Sequence, residues 1–145
     1  MKKQIKKMKT AVIIPSRYAS SRLPGKPLVL IKGKPLLQYT VERVMSCKRV
    51  DFIAVATDDR RVCNIVKSLG FNVFMTPVNC RSGTDRVAFL ALNFLSDYEV
   101  FINVQGDEPL IDPELIDTLI VLIKNNKSLE YVTAAFPIGE ESAIK

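Results

Sequence analysis

Short apolar runs alternate along this chain with longer segments in which apolar side chains recur at helical spacing. The first run, TAVIIP at Thr10–Pro15, is rich in β-branched residues and has no charged side chain, which predicts a strand buried on both faces of a sheet. Similar runs predict further strands later in the chain. They lie in FIAVA at 52–56, FNVFMTP at 71–77, YEVFINVQGDEP at 98–109, where the strand runs into a polar loop, and YVTAAFPI at 131–138.

The segments between these runs predict amphipathic helices, because their apolar residues recur on one face. Pro35 lies where the first helical residue of the first segment can stand, and Gly70 follows the second segment as a helix terminator. The last segment has Asp112 as a plausible N-cap and Pro113 as its first residue. The predicted helices cover 34–47, 60–70, 84–95 and 112–126.

The alternation of strands and helices predicts an α/β fold, in which a mostly parallel sheet carries helices on both faces and the crossovers are right-handed. We expect residues 10–145 to form this domain and the basic residues 1–9 to form a solvated tail. In such sheets ligands bind beyond the carboxyl ends of the strands. Polar segments at 16–26, 57–59 and 105–109 would therefore meet at one edge.

Composition and charge exclude several classes of function. The net charge of +6 arises largely from five lysines among the first nine residues, so a general nucleic-acid-binding surface is not expected. No apolar run has the length of a membrane span or of a secretory signal core, which predicts a cytoplasmic protein. The chain has no histidine, and Cys47, Cys63 and Cys80 form no C-x-x-C pair. Zinc binding and Ser-His-Asp chemistry are therefore not expected, and the thiols should be free.

The loop after the first strand carries Arg17, Arg22 and Lys26 around Gly25, a residue that tolerates positive φ. Arginine forks and a lysine ammonium suit phosphate oxygens, so this loop predicts a triphosphate site. It is not a Walker A motif, because Pro27 stands where that motif needs Ser or Thr. The alternative is an ordinary surface loop with solvated cations.

A second candidate segment is QGDEP, where Asp107 and Glu108 follow a buried strand. A carboxylate in this place can hold Mg²⁺ together with substrate phosphates. Beside a cationic loop at the same edge, it predicts chemistry on a magnesium-bound nucleotide. The alternative is a simple turn, in which Asp107 accepts from local backbone amides and Pro109 ends the segment.

In RSGTDR, Ser82 and Asp85 fit a capping box at the start of a helix. The free amides of that helix start, with Arg81 and Arg86 on either side, also suit an anion or a polar base. These two interpretations are compatible. In TDD at 57–59, an aspartate is expected only to cap the following helix.

The segments IIPSRYASSRLPGKPLVLIKGKPLLQ, VATDD, RSGTDR and NVQGDEP occur in this order and together resemble one family. They are similar to the 3-deoxy-manno-octulosonate (Kdo) cytidylyltransferases, also called CMP-Kdo synthetases, over about residues 12–137. The opening motif alone is also similar to CMP-sialic acid synthetases, whereas RSGTDR and NVQGDEP favour the Kdo enzymes. The resemblance implies a Rossmann-like nucleotidyltransferase that converts CTP and Kdo into CMP-Kdo and pyrophosphate with Mg²⁺, for lipopolysaccharide biosynthesis.

The resemblance also implies roles for individual residues. Lys26, Arg22 and Asp107 would be catalytic, with Lys26 stabilising charge on the transferring phosphate or the leaving pyrophosphate. Asp107 would also bind the Mg²⁺ ion. The nucleotide would be held by Arg17, Ser20, Arg22 and Lys26 at the triphosphate and by Ser82, Thr84, Arg86 and Gln105 at the cytidine.

Members of the resembled family are much longer than this chain. The resemblance therefore implies that most Kdo contacts, a second acidic metal ligand and much of a homodimer interface lie beyond residue 145. We expect the chain to be the CTP-binding part, to lack efficient synthesis, and to associate through exposed apolar faces. The alternative hypothesis is a non-catalytic relic that binds a nucleotide or a partner through its cationic edge.

Overall fold

A computed structural model describes residues 8–19 and 23–135 of the chain. Within these residues, strands and helices alternate as the hydrophobic pattern predicts, and a short 3₁₀ turn and a small hairpin follow the first strand. The strands are β1 Thr10–Pro15, β2 Leu30–Ile31, β3 Lys34–Pro35, β4 Phe52–Thr57, β5 Val73–Met75 and β6 Val100–Asn103. The helices are α1 Leu36–Met45, α2 Arg60–Ser68, α3 Gly83–Asn93 and α4 Pro113–Asn125, and the 3₁₀ turn is Lys26–Leu28.

The main sheet has four strands in the order β5–β4–β1–β6, and every neighbouring pair is parallel. β1 lies in the interior of the sheet, where Val12 pairs with Ile53 of β4 on one side and with Ile102 of β6 on the other. All six residues of β1 are buried. This explains why its sequence is continuously apolar rather than alternating.

The two faces of β1 contact different helices, because successive side chains of a strand point to opposite sides. Val12 and Ile14 pack with residues of α1, α2 and α4. Ala11 and Ile13 pack instead with Val87 and other residues of α3. The predicted α/β fold with helices on both faces is therefore confirmed.

The carboxyl ends of the strands are tied together by backbone hydrogen bonds that continue past the regular pairing. Ser16 N–H donates to the Ala56 carbonyl at 2.8 Å, and Thr76 N–H donates to the Thr57 carbonyl at 2.8 Å. Gly106 N–H donates to the Pro15 carbonyl at 3.2 Å. The segments that follow β1, β4, β5 and β6 therefore begin side by side at one edge of the sheet.

Several sequence predictions differ from the structure at element ends. Residues 131–135 form no strand, which contradicts the predicted fifth strand there, and its remaining residues 136–138 lie outside the described residues. The β2–β3 hairpin was not predicted, because two residues per strand are too few to show a period. Pro35 is the N-cap of α1 rather than its first residue, whereas Asp112 and Pro113 hold their predicted places at the start of α4.

Two other predictions concern the ends and the thiols of the chain. The predicted tail falls largely on residues 1–7, which lie outside the described residues. Cys47, Cys63 and Cys80 are free thiols, as predicted. Among the described helices, none combines the length and the apolarity that crossing a membrane would require.

Candidate functional site

The structure brings together the first loop and the loop after β6, as predicted from the polar segments at the strand ends. Lys26 Nζ donates to Asp107 Oδ2 across a sequence separation of 81 residues. Their side chains remain 40% and 45% exposed, so both charges are accessible to a ligand. Asp107 thus pairs with a cation of the first loop, and the site has a positive and a negative group in direct contact.

The position of Lys26 is set by the 3₁₀ turn that begins at this residue. Gly25 has a φ of 72°, in the left-handed region that favours glycine, and caps the 3₁₀ turn. The Leu28 N–H donates to the Gly25 carbonyl at 2.8 Å, which closes the turn. Pro27 is buried in this turn and restricts the backbone beside Lys26. The lysine therefore projects from a backbone of restricted conformation.

The turn that carries Asp107 packs directly on the end of β1. Thr40 Oγ1 donates to the Gly106 carbonyl at 3.1 Å, and a Cβ at Gly106 would lie only 3.0 Å from the Pro15 carbonyl oxygen. That Cβ would also lie 3.2 Å from Ser16 Oγ. A side chain at this position would therefore force the two backbones apart, which favours glycine here.

Ser16 lies at this edge of the sheet and was not singled out from the sequence. Its side chain is buried, and its hydroxyl has no hydrogen-bond partner among the described residues. Buried hydroxyls without a partner are uncommon and call for a specific explanation. The sequence feature that could have identified Ser16 is its position directly after the buried strand β1 and before Arg17.

The start of α3 has the predicted capping box. Ser82 Oγ accepts from the Asp85 N–H at 3.0 Å, and Asp85 Oδ2 accepts from the Ser82 N–H at 3.0 Å. The Arg81 N–H also donates to Asp85 Oδ2 at 2.7 Å. The amides of Arg81 and then Ser82 hold the pKa of the Asp85 carboxyl below its ordinary value. A side-chain hydrogen bond between the Ser82 hydroxyl and the Asp85 carboxylate lowers this pKa further.

A chain of polar side chains lies beside this helix start. Gln105 Nε2 donates to Asn103 Oδ1 at 3.0 Å, and Asn103 Nδ2 donates to Thr84 Oγ1 at 3.4 Å. All three side chains are exposed. Thr84 and Gln105, which were expected to hold the cytidine, are therefore linked through Asn103. Sequence reasoning missed Asn103, although it ends β6 two residues before Gln105.

Arg17 connects the two halves of the site. Its Nη2 donates to the Cys80 carbonyl at 2.8 Å, which ties the loop after β1 to the segment that precedes α3. Its charge also contributes, as the smallest cause, to the lowered pKa of Asp85. Arg17 therefore holds the loop after β1 against the segment that leads into α3.

Arg86, which the resemblance implied as a cytidine contact, lies inside the protein. It is completely buried, and its Nη2 donates to Asp58 Oδ2 at 2.6 Å while its Nη1 donates to Thr76 Oγ1. α3 directs its side chain towards the segments that follow β4 and β5, and its implied contact with the cytidine stays a prediction. Asp58, expected at most to cap a helix, is its partner, and Asp59 is the residue that caps α2.

Two other expected site residues, Ser20 and Arg22, lie outside the described residues. Their implied contacts with the triphosphate, and the catalytic role implied for Arg22, stay predictions.

The chain is similar in sequence to known cytidylyltransferases. A family model described as Cytidylyltransferase matches residues 11–145. The chain is 45% identical over 141 residues to the 3-deoxy-manno-octulosonate cytidylyltransferase 2 of Hydrogenovibrio crunogenus, which covers 94% of this chain and 57% of that protein. It is 47% identical over 136 residues to the 8-amino-3,8-dideoxy-manno-octulosonate cytidylyltransferase of Shewanella frigidimarina, covering 92% of this chain and 56% of that one.

Solved structures agree with the sequence comparison. A CMP:2-keto-3-deoxy-manno-octonic acid synthetase complexed with CTP has a TM-score of 0.79 and 41% identity, covering 83% of this chain and 49% of that one. The chain therefore spans about half the length of the relatives that it matches.

Proposed function

Because the chain belongs to the cytidylyltransferase family, we propose that it binds CTP with Mg²⁺ and forms the nucleotide half of an enzyme that joins CTP to Kdo. The products of that reaction are CMP-Kdo and pyrophosphate. The observation that carries the proposal is the contact between Lys26 and Asp107 at the carboxyl edge of the sheet. The names of the relatives support CTP as the nucleotide and an octulosonate sugar as its acceptor.

Lys26 and Asp107 can each replace the other with a group of a bound ligand. Both side chains are close to half exposed, and an ion pair in such surroundings contributes only about 0–1 kcal/mol to stability. A magnesium-bound triphosphate offers the ammonium anionic oxygens and the carboxylate a cation. Each partner therefore gains a counter-charge when the pair opens.

The residues present fit magnesium better than a metal held wholly by protein. Among the described residues, no three His, Cys, Asp or Glu side chains group closely enough to hold a metal ion. Magnesium is commonly held by one or two carboxylates together with substrate phosphates, and Asp107 supplies such a carboxylate. When bound, the ion neutralises charge on the phosphate oxygens.

The side chains of this chain then have separate tasks. Lys26 donates to phosphate oxygens and stabilises the charge that develops on the transferring phosphate and the leaving pyrophosphate. Arg17 orients the first loop against the segment before α3 through the Cys80 carbonyl. Ser20 and Arg22 add the remaining contacts to the triphosphate in this proposal.

In this proposal the linked amides of Asn103 and Gln105, which lie beside the start of α3, distinguish cytosine from uracil. Gln105 donates through Nε2 to Asn103, which leaves Gln105 Oε1 as an acceptor. Cytosine presents an amino donor where uracil presents a keto acceptor. The orientation of the amide, fixed by the hydrogen bond to Asn103, therefore favours CTP over UTP.

The wider setting of the reaction belongs to the same proposal. Free thiols at all three cysteines suit the reducing cytoplasm, where CMP-Kdo would feed lipopolysaccharide synthesis. Exposed apolar side chains such as Leu30, Leu92 and Leu110 suit association into a homodimer in a longer chain. The rival hypothesis is a binding-only relic of the same family.

Calorimetric titration with CTP and UTP, each with and without Mg²⁺, tests the proposal. We expect Mg-CTP to bind about tenfold more tightly than Mg-UTP, since one hydrogen-bond donor replaces an acceptor. Lys26→Ala and Asp107→Asn should weaken Mg-CTP binding by about tenfold or more, whereas exposed Lys67→Ala and Asp97→Asn serve as charge-matched controls. Equal affinity for the two nucleotides, or equal effects in the controls, would refute it.

A pyrophosphate-release assay separates the enzyme from the relic. CTP is supplied with Kdo or with its 8-amino analogue, because both sugars occur in the names of relatives. Turnover with either sugar would exclude the binding-only relic, and it would contradict the expectation that this chain lacks efficient synthesis.

A further inference from the structure

Tyr18 lies in the loop between β1 and the 3₁₀ turn, which we call the Lys26 loop and whose described residues are 16–19 and 23–26. The Gly25 N–H donates to the Tyr18 carbonyl at 2.8 Å. A Cβ at Gly25 would lie 3.1 Å from atoms of the Tyr18 ring. The hydroxyl-bearing end of the Tyr18 side chain is therefore close to the backbone immediately before Lys26.

A guanidinium from another element also packs on this ring. Arg61, in the first turn of α2, has its Cζ 3.3 Å from the centroid of the Tyr18 ring. This is well within the range of a cation–π contact. The ring therefore contacts both Gly25 of the Lys26 loop and Arg61 of α2.

Asp59 holds this guanidinium in one orientation. Arg61 Nε donates to Asp59 Oδ1 at 3.0 Å, and Arg61 Nη2 donates to Asp59 Oδ2 at 2.6 Å. The Arg61 side chain is the main cause that holds the pKa of the Asp59 carboxyl below its ordinary value. The two parallel hydrogen bonds fix the plane of the guanidinium against the ring.

We propose that Asp59, Arg61 and Tyr18 form a clamp that positions the Lys26 loop for the triphosphate. This inference rests on the proposed function. Arg61 is a positioning residue rather than a ligand, because its guanidinium is already engaged by Asp59 and by the ring. The clamp joins the segment after β4 to the loop after β1, so it fixes the backbone at Gly25 from outside the phosphate site.

A role of Arg61 in global stability can be distinguished from a role in positioning the Lys26 loop. Arg61 keeps 61% of its side chain exposed, and stacking at an exposed position contributes little to global stability. Loss of the clamp should therefore change the Lys26 loop while leaving the folded domain intact. The cation–π contact with Arg61 uses the ring of Tyr18, whereas both the ring and the phenol hydroxyl approach Gly25.

Amide exchange at Gly25, followed by NMR on the full chain without nucleotide, tests whether the clamp exists. Arg61→Ala and Tyr18→Leu should accelerate exchange of the Gly25 N–H by about three- to fivefold. Arg60→Ala removes the same charge from the neighbouring exposed position, and Tyr18→Phe keeps the ring. Exchange in these two controls should match the unaltered chain, and equal exchange in Arg61→Ala and Arg60→Ala overturns the clamp.

The Mg-CTP affinity of the same variants tests whether the clamp positions the Lys26 loop for nucleotide binding. Arg61→Ala and Tyr18→Leu should weaken binding by about three- to fivefold, with Tyr18→Phe restoring it and all melting temperatures within about 4 °C. Faster exchange with unchanged affinity overturns the positioning role. If the unaltered chain binds no Mg-CTP, the proposed function fails and the positioning role with it, while Gly25 exchange still decides whether the clamp itself exists.

Discussion

Replacing Asp58 with alanine should destabilise the whole domain, although Asp58 lies at the edge of the sheet and was expected at most to cap a helix. Its carboxylate accepts from Arg86 Nη2 at 2.6 Å, and Arg86 is 0% exposed. Arg86 Nε has no hydrogen-bond partner among the described residues. Without Asp58, the buried guanidinium would keep only its contact with Thr76.

The expected loss of unfolding free energy follows from the burial of Asp58 and Arg86. Removing one partner of a buried ion pair costs about 3–5 kcal/mol, because an uncompensated charge remains inside the protein. Asp58 retains 19% of its side-chain exposure, so water can reach the site and the lower value, about 3 kcal/mol, applies. Domains of this kind have a total unfolding free energy of only about 5–15 kcal/mol. The substitution should therefore remove a large share of it.

Urea unfolding followed by circular dichroism measures this loss. Asp58→Ala should lower the midpoint with little change in slope, and exposed Asp97→Ala should change the free energy of unfolding by less than about 0.5 kcal/mol. Combining Asp58→Ala with Arg86→Met should cost less than the sum of the single variants, by about 1 kcal/mol or more. A cost below about 1 kcal/mol for Asp58→Ala, or full additivity, would show that the pair does not hold α3 to the sheet.

Other features lead to further predictions. Ser82→Ala should lower the free energy of unfolding by about 1 kcal/mol through loss of the helix cap, as measured by thermal unfolding, and a smaller loss than in exposed Ser128→Ala would contradict the cap. The pKa of Asp85 is lowered in the folded state, so its carboxylate stabilises the protein at pH values above its ordinary pKa of 3.8. The difference in unfolding free energy between the unaltered chain and Asp85→Asn should therefore vanish as the pH falls through the lowered pKa, as measured by unfolding at a series of pH values. Burial, with a smaller contribution from the Asp117 carboxylate, raises the pKa of the Cys47 thiol to about 11, so iodoacetamide should label Cys47 in the folded protein near neutral pH more slowly than in urea, by mass spectrometry. Gly106→Ala should weaken Mg-CTP binding in calorimetry, because its Cβ would displace the turn that carries Asp107, and unchanged affinity would count against that turn as part of the site.

The sequence predicted the sheet well because its central strand is buried on both faces. Burial of that kind leaves a continuous apolar run such as Thr10–Pro15, which is easy to recognise. Helix starts were also visible, since Ser82 and Asp112 are cap residues with a local chemical requirement. The β2–β3 hairpin left no such trace, and residues 131–135 are β-rich in composition yet form no strand.

The candidate site was predictable only in part. The position of Lys26 beside Asp107 follows from strand order, because both segments leave the carboxyl ends of β1 and β6, which are neighbours in the sheet. The direction of a side chain on a helix depends on packing that no motif records. The motif shows an arginine near a helix start, but only the fold shows that Arg86 is buried and bonded to Asp58 and Thr76.

The pairing of Lys26 with Asp107 also has a consequence for the rate at which a nucleotide arrives. Two opposite charges in contact nearly cancel at a distance, so the pair exerts little long-range attraction on an approaching anion. Lys26 should therefore act mainly after encounter, by slowing dissociation. Neutralising Asp107 would leave the ammonium unmasked, and nucleotide capture would then become faster and more sensitive to salt even as the complex becomes shorter-lived.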